Sequence, residues 1–230
     1  MNRKKDPKTR KDELLEAAGE LFMEEGYEDT SVNSIVESIG VSKGTFYYYF
    51  DSKRDVVDEL VEKISEPIYR KIDEIIAEDS LTAVEKLNKI FAVSTRMKLA
   101  NKEQVRRIFS LVYKPENLWL REKIQKRTVE RSAQKTKKII KQGVEEGVLD
   151  TAFPEAVSRL IFWMGVNLGE DVASALLGPK THVDVEKYLR NYRAYENSIE
   201  RVLGAPDGSI DFLNEKDLKE FLNYLNKNDT

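Results

Sequence analysis

Between residues 42 and 53 the chain reads Ser-Lys-Gly-Thr-Phe-Tyr-Tyr-Tyr-Phe-Asp-Ser-Lys, a short run rich in hydroxyls around one early lysine. Lys43 offers an ammonium to a base edge or a phosphate, and Thr45, Tyr47, Tyr48 and Tyr49 offer hydroxyls that can bond phosphate oxygens. Gly44, lacking a side chain, lets another backbone come close. Glycine and successive tyrosines are poor helix formers beside alanine or leucine, so helix stability did not choose this composition. Phe46 and Phe50, four apart, share one face and can bury with Ile35 and Ile39, while Lys43, Thr45, Tyr47 and Tyr48 turn progressively away. Three consecutive tyrosines cannot all face one core from a helix. The pattern therefore predicts a helix that shows a polar, aromatic, singly basic face, suited to base edges and phosphates in a DNA groove.

Such a helix needs others to hold it. Thr30 or Ser31 can cap a preceding helix whose Val32, Ile35, Val36 and Ile39 recur at helical spacing. Gly40 ends that helix in the left-handed backbone a C-terminus favours, Val41 folds back, and Ser42 caps the next. A leading helix over about 8–25, with Leu14, Leu15, Ala18, Leu21 and Phe22 on one side, would brace the pair. In this arrangement residues 9–54 resemble the DNA-binding region of the tetracycline-repressor (TetR) family. The likeness runs through Ala17, Phe22, Gly26-Tyr27, Thr30, Ile35, Gly40-Val41-Ser42, Gly44-Thr45, Tyr47, Phe50 and Lys53. Val36 departs from it, standing where the family commonly has alanine. The resemblance implies base or groove contacts from Lys43, Gly44 and Tyr47, and phosphate contacts from Thr45, Tyr48, Tyr49 and Lys53. Thr30, Ser31 and Asn33 at the preceding helix start are further candidates. It also implies a homodimer on double-stranded DNA with a palindromic operator, released by a small-molecule effector.

The overall charge of −3 runs against a DNA partner, but its distribution does not. Arg3, Lys4, Lys5, Lys8, Arg10 and Lys11 face only Asp6 among residues 3–11, which fits either a basic arm along the phosphates or a solubilising terminus. No cysteine occurs, so disulfides and thiolate metal sites are ruled out, as suits a reducing cytoplasm. The N-terminus lacks a signal-peptide pattern, and the most apolar stretch, Leu160–Val166, is far shorter than the ~20 residues of a membrane span.

The remainder predicts an all-α chain: a helix-turn-helix domain over 1–54, a linking helix over about 53–77, and a larger helical effector-binding and dimerisation domain over 55–230. Helices are expected near 81–99, 102–113, 116–142, 154–177, 184–203 and 217–226. Breaks are expected at Asp79-Ser80, Asn101, Lys114-Pro115, Gly143 to Pro154, Gly178-Pro179 and Gly204 to Gly208. Ser52 caps the linking helix, and Pro67 inside it reads as a static bend or as a hinge. Around Leu160–Leu168 the helix 154–177 is apolar almost all round. Its small residues Gly165, Gly169 and Ala173, with Tyr188, Tyr192, Tyr195 and Ile199 of the next helix, are the expected dimer interface. Phe109, Tyr113, Trp119, Trp163 and Asn167 could line a ligand cavity, joined by Phe91, Met97 and Met164, although large apolar residues also simply build cores. Residues 121–141 hold nine Lys or Arg against Glu122 and Glu130; that is a solvated face, or a seat for an anionic ligand such as an acyl thioester. An enzyme is not expected, nor a cofactor or metal: His182 is the only histidine, and there is no cysteine nucleophile, phosphate-binding glycine loop or metal-ligand cluster. The contrasting reading is a helical protein-interaction adaptor without specific DNA readout.

Overall fold

The computed structural model describes residues 7–177, 182–212 and 214–227. These form helices joined by short turns, with no strand among the described residues: α1 (Pro7–Glu24), α2 (Val32–Ser38), α3 (Lys43–Tyr49), α4 (Lys53–Ile76), α5 (Ala83–Ala100) and α6 (Lys102–Val112). A 3-10 turn (Pro115–Asn117) leads into α7 (Leu118–Glu145), then α8 (Pro154–Leu177), α9 (Val185–Leu203) and α10 (Glu215–Lys227). The all-α expectation holds. The expected break at Gly178-Pro179 lies outside the described residues. No described helix is long and apolar enough to cross a membrane.

The chain divides into two compact units, Met1–Pro67 with Lys114–Leu118, and Ile68–Tyr113 with Trp119–Thr230. The division falls at Pro67 rather than at 54 because the first part of α4 is built into the first unit. Val56 and Val57 are fully or nearly buried. A Cβ on Gly19 would stand 3.4 Å from Leu60 Cδ2, and Lys63 bridges Asp12 and Glu16 of α1 at 3.1 and 3.2 Å.

In the second unit α8 packs on α9, and α10 packs on α5, α6 and α9. Leu87, Ile139, Ile140, Ile161, Ile199 and Leu222 form its centre. Gly143 does not end α7 as its type suggested; the helix runs on to Glu145 and the chain turns at Gly147, with φ +71°. Gly143 serves close packing instead, since a Cβ there would lie 2.4 Å from Leu149 Cδ1 and 3.0 Å from Ala83 Cβ. Gly143→Ala is accordingly expected to cost about 1–3 kcal/mol of stability through overpacking, read as a lower denaturant midpoint.

Between α9 and α10 the described residues form no helix, and unpaired buried amides are costly. Side chains meet that need. Glu200 accepts the Ile210 amide at 3.0 Å, Asn88 accepts that of Asp211 at 3.0 Å and donates to the Ser209 carbonyl at 2.9 Å, and Glu196 accepts the Phe212 amide at 2.9 Å. Phe212 is thereby fixed in the core, stacked on Phe91.

Candidate nucleic-acid interface

Ser31, not Thr30, caps α2. Its Oγ accepts the Ser34 amide at 3.0 Å while Ser34 Oγ accepts the Ser31 amide at 3.0 Å, a reciprocal pair that fixes the helix start. Gly40 takes φ +66° and the Val41 amide returns to the Val36 carbonyl at 2.9 Å, so the turn closes as its residues predict. Ser42 then caps α3 by accepting the Thr45 amide at 3.2 Å, and its hydroxyl also lies 3.1 Å from that of Thr45. Within α3, Phe46 and Phe50 are buried with ring centroids 5.6 Å apart, alongside buried Ile35 and Val36. The opposite face is open: Lys43 and Gly44 are exposed, Tyr47 is 55% exposed and Tyr48 76%. Tyr49 is half-buried, its ring edge-on to Tyr48 at 4.8 Å. A Cβ at Gly44 would meet only Ser42 Oγ, at 3.6 Å, so the backbone here is free to be approached. Thus Lys43, Gly44, Thr45, Tyr47 and Tyr48 come together on one side of α3, with exposed Ser31 and Asn33 at the start of α2.

Two residues of the expected set serve the fold. Thr30 is 1% exposed and its hydroxyl donates to the Gly26 carbonyl at 2.7 Å, so it has nothing to offer a phosphate. Lys53 donates to the carbonyls of Tyr27, Glu28 (3.2 Å) and Thr30 (2.6 Å), with its ammonium 4.2 Å from the Tyr27 ring centre. An ammonium has three protons, and all are engaged; a phosphate contact from Lys53 would have to displace one of these. Burial draws its pKa below the usual lysine value despite nearby Glu28 and Asp29. Of the basic N-terminus, Arg3, Lys4, Lys5, Asp6 and the Lys8 side chain lie outside the described residues. Arg10 and Lys11 belong to α1 and are paired, Arg10 with Glu13 and Lys11 with Glu59, each at 2.6 Å.

In the second unit the expected roles of α8 and α9 change places. Trp163 and Asn167, predicted for a cavity, are exposed, and Trp163 continues an outer stripe with Phe153 (72% exposed), Ala156 and Leu160 (52%) at steps of three and four. Residues predicted for a dimer interface face inward instead. Gly165 lies under Tyr195, whose hydroxyl is 3.1 Å from where a Cβ would sit and donates to the Ile161 carbonyl. Gly169 faces the Tyr113 hydroxyl, Ala173, Tyr192 and Ile199 are buried, and Tyr188 is mostly covered, so that desolvation raises its pKa. Small residues do mark a close helix approach here, but to the chain's own neighbours. A helix apolar all round hides which face looks outward; the 153-156-160-163 spacing was the available signal.

Phe109 and Tyr113 stack at 5.1 Å, and the Tyr113 hydroxyl bonds Gln125, which donates to Glu170, with the Arg121 guanidinium 5.2 Å from the Tyr113 ring. Trp119 is half-buried on α7. The basic run of α7 is dispersed rather than gathered: Lys135 pairs with Asp73 (2.5 Å), Lys137 with Glu155 (2.6 Å), Arg131 covers Tyr69, and Lys126, Lys138 and Lys141 are exposed.

The family described as "Bacterial regulatory proteins, tetR family" matches residues 14–60. The chain is 38% identical over 80 residues to the "HTH-type transcriptional repressor KstR2" of Rhodococcus jostii (strain RHA1), a match covering 34% of this chain and 39% of that protein. The chain thus spans about two fifths of that relative's length. In structure it is similar to SmeT of Stenotrophomonas maltophilia in complex with triclosan, with TM-score 0.63 and 15% identity over 90% of this chain and 98% of that one. It is also similar to Thermus thermophilus FadR in complex with lauroyl-CoA, with TM-score 0.54 and 23% identity over 86% and 100% of the two chains.

Proposed function

We propose that the chain, whose residues 14–60 match the TetR family of bacterial regulatory proteins, is a homodimeric, ligand-responsive transcriptional repressor of that family acting in the cytoplasm, without catalytic activity. The observation that carries this reading is the outward face of α3: exposed Lys43, Gly44, Tyr47 and Tyr48, set on a helix capped by Ser42 and anchored by buried Phe46 and Phe50. Lys43, Gly44 and Tyr47 read base edges, while Thr45, Tyr48 and Tyr49 hold phosphates, with Ser31 and Asn33 beside them. Dimerisation uses the exposed Phe153-Leu160-Trp163 stripe of α8 rather than the buried tyrosines of α9. A two-fold dimer presents two α3 helices to successive major grooves and so selects a roughly palindromic operator. Selection from a random pool of DNA duplexes at near-physiological salt tests this. Enrichment of a palindrome supports it; a stable complex with another protein and no enriched sequence favours an adaptor instead.

The effector is a small molecule taken up by the second unit, where the stacked Phe109-Tyr113 pair and the polar groups of Gln125 and Glu170 offer an aromatic wall with a few hydrogen-bonding groups. SmeT and FadR, similar in fold, were solved with triclosan and lauroyl-CoA, which supports small-molecule binding without naming this chain's ligand. Release from DNA requires the effector to favour one of two states, with coupling of ~1–3 kcal/mol. Operator and effector are therefore expected to weaken each other's affinity by the same factor, about 5- to 150-fold, measured by titrating each in the presence of the other. A ligand that binds without that reciprocity is not the effector.

A further inference from the structure

A cavity of about 400 Å³ opens between α9 and the segment leading into α10, lined among the described residues by Leu189, Tyr192, Arg193, Glu196, Asp211, Asn214, Glu215 and Leu218. Its volume falls in the range of small-molecule sites. Its chemistry is one-sided. Arg193 is the one base of that lining, and it is already bridged to Glu215 at 2.6 Å, with Lys219 on the same carboxylate at 2.7 Å. Glu196 gives one oxygen to the Phe212 amide, and among the described residues neither it nor Asp211 has a cation at ion-pair distance. Independently of the carboxylates, Tyr192 is 9% exposed and lines the cavity, yet its hydroxyl has no hydrogen-bond partner among the described residues. A ligand seated in the cleft supplies the partner that this hydroxyl lacks within the fold.

We propose that this cleft binds a small organic ammonium ion, whose charged nitrogen lies against Glu196 and Asp211 and donates to the Tyr192 hydroxyl, while its apolar body rests on Leu189 and Leu218. An ammonium matches the acceptor-only carboxylates and the face of an aromatic ring, where an anion would meet uncompensated negative charge. Electrostatics agree. Burial, with Asp211 and Glu200 adding repulsion, pushes the Glu196 carboxyl up to about 7, against the Phe212 amide and Arg193, which act the other way. A bound cation reverses the repulsion, so binding ionises Glu196 and releases a proton.

The test is isothermal titration of the full chain with 1,4-diaminobutane and with n-butylammonium at constant ionic strength, with butyrate as the anionic control. Saturable binding to one site per chain is expected, weakened about tenfold or more in Glu196→Gln and in Asp211→Asn. The amide in Glu196→Gln still accepts the Phe212 N–H, and the Asp211 side chain makes no described bond within the fold, so both variants should fold, as checked by thermal melting. Between about pH 6 and pH 8 wild-type affinity is expected to rise up to about tenfold as Glu196 ionises, and Glu196→Gln should lose that rise. The other ionisable groups facing Glu196 are Asp211, Glu200 and Arg193, with Glu215 also lining the cleft. No saturable heat at millimolar amine, butyrate binding as well as the amines, or affinities unchanged in both variants would each overturn the proposal. None of these outcomes depends on DNA binding, so the two readings fail separately.

Discussion

Replacing Lys43 and Tyr47 together by alanine is expected to abolish sequence-specific DNA binding while leaving the fold unchanged. Both side chains stand on the open face of α3, and Tyr47 meets the buried side only through an edge-on contact with Phe46, ring centroids 5.4 Å apart. A good side-chain contact to a base edge discriminates by about 1–3 kcal/mol, and a two-fold dimer loses each contact twice. A drop of at least about 10²- to 10³-fold follows, with the weak, salt-sensitive phosphate attraction left behind. Fluorescence anisotropy with the selected palindrome and a scrambled duplex, at one fixed salt concentration, reads both terms. If the double variant still separates the two duplexes as wild type does, α3 is not the reading helix.

Introducing aspartate at both Leu160 and Trp163 is expected to convert the proposed dimer into a monomer and to take operator affinity with it. These residues are 52% and 41% exposed on one face of α8, and covering the exposed half of such side chains contributes about 0.7–1.5 kcal/mol each, doubled by symmetry. An aspartate in their place puts an unpaired charge where a partner would desolvate it. Sedimentation at micromolar concentration should show half the wild-type mass, with unchanged helix content. Gly165→Ala is the contrast: a Cβ there lies 3.1 Å from the Tyr195 hydroxyl, so it should perturb stability rather than association. A double aspartate variant that keeps its dimeric mass would remove α8's outer face from consideration.

What could be read beforehand follows from how local each signal is. The helix-turn-helix region was legible nearly residue by residue, because caps at Ser31 and Ser42, the stop at Gly40 and the Phe46-Phe50 spacing act within a few positions of themselves. Roles set by distant partners were not legible. Lys53 looks like a solvent-facing cation until the carbonyls of residues 27, 28 and 30 are brought to it, and Thr30 looks accessible until Gly26 takes its hydroxyl. Composition also misled where it was uniform. Around Leu160–Leu168 α8 is apolar almost all round, so small residues suggested a partner helix, and nothing local distinguished another chain from α9. Gly143 shows the same limit, its meaning set by Leu149 and Ala83 rather than by its own backbone preference. The carboxylates of the α9 cleft were indistinguishable in sequence from ordinary surface charges.

The way residues 209–212 are held carries an evolutionary corollary. In a helix or strand, backbone is recognised by backbone, and any residue but proline can serve. Here three successive amides are satisfied by the side chains of Glu200, Asn88 and Glu196. The backbone bonds of the segment thus make no demand on the side chain at Ser209, whereas its remote holders, two of them on one helix, are constrained in identity and must change together with it or not at all. A comparison of orthologous chains should find Asn88, Glu196 and Glu200 more invariant than the loop they support, and its amides should exchange with solvent as slowly as those of a helix.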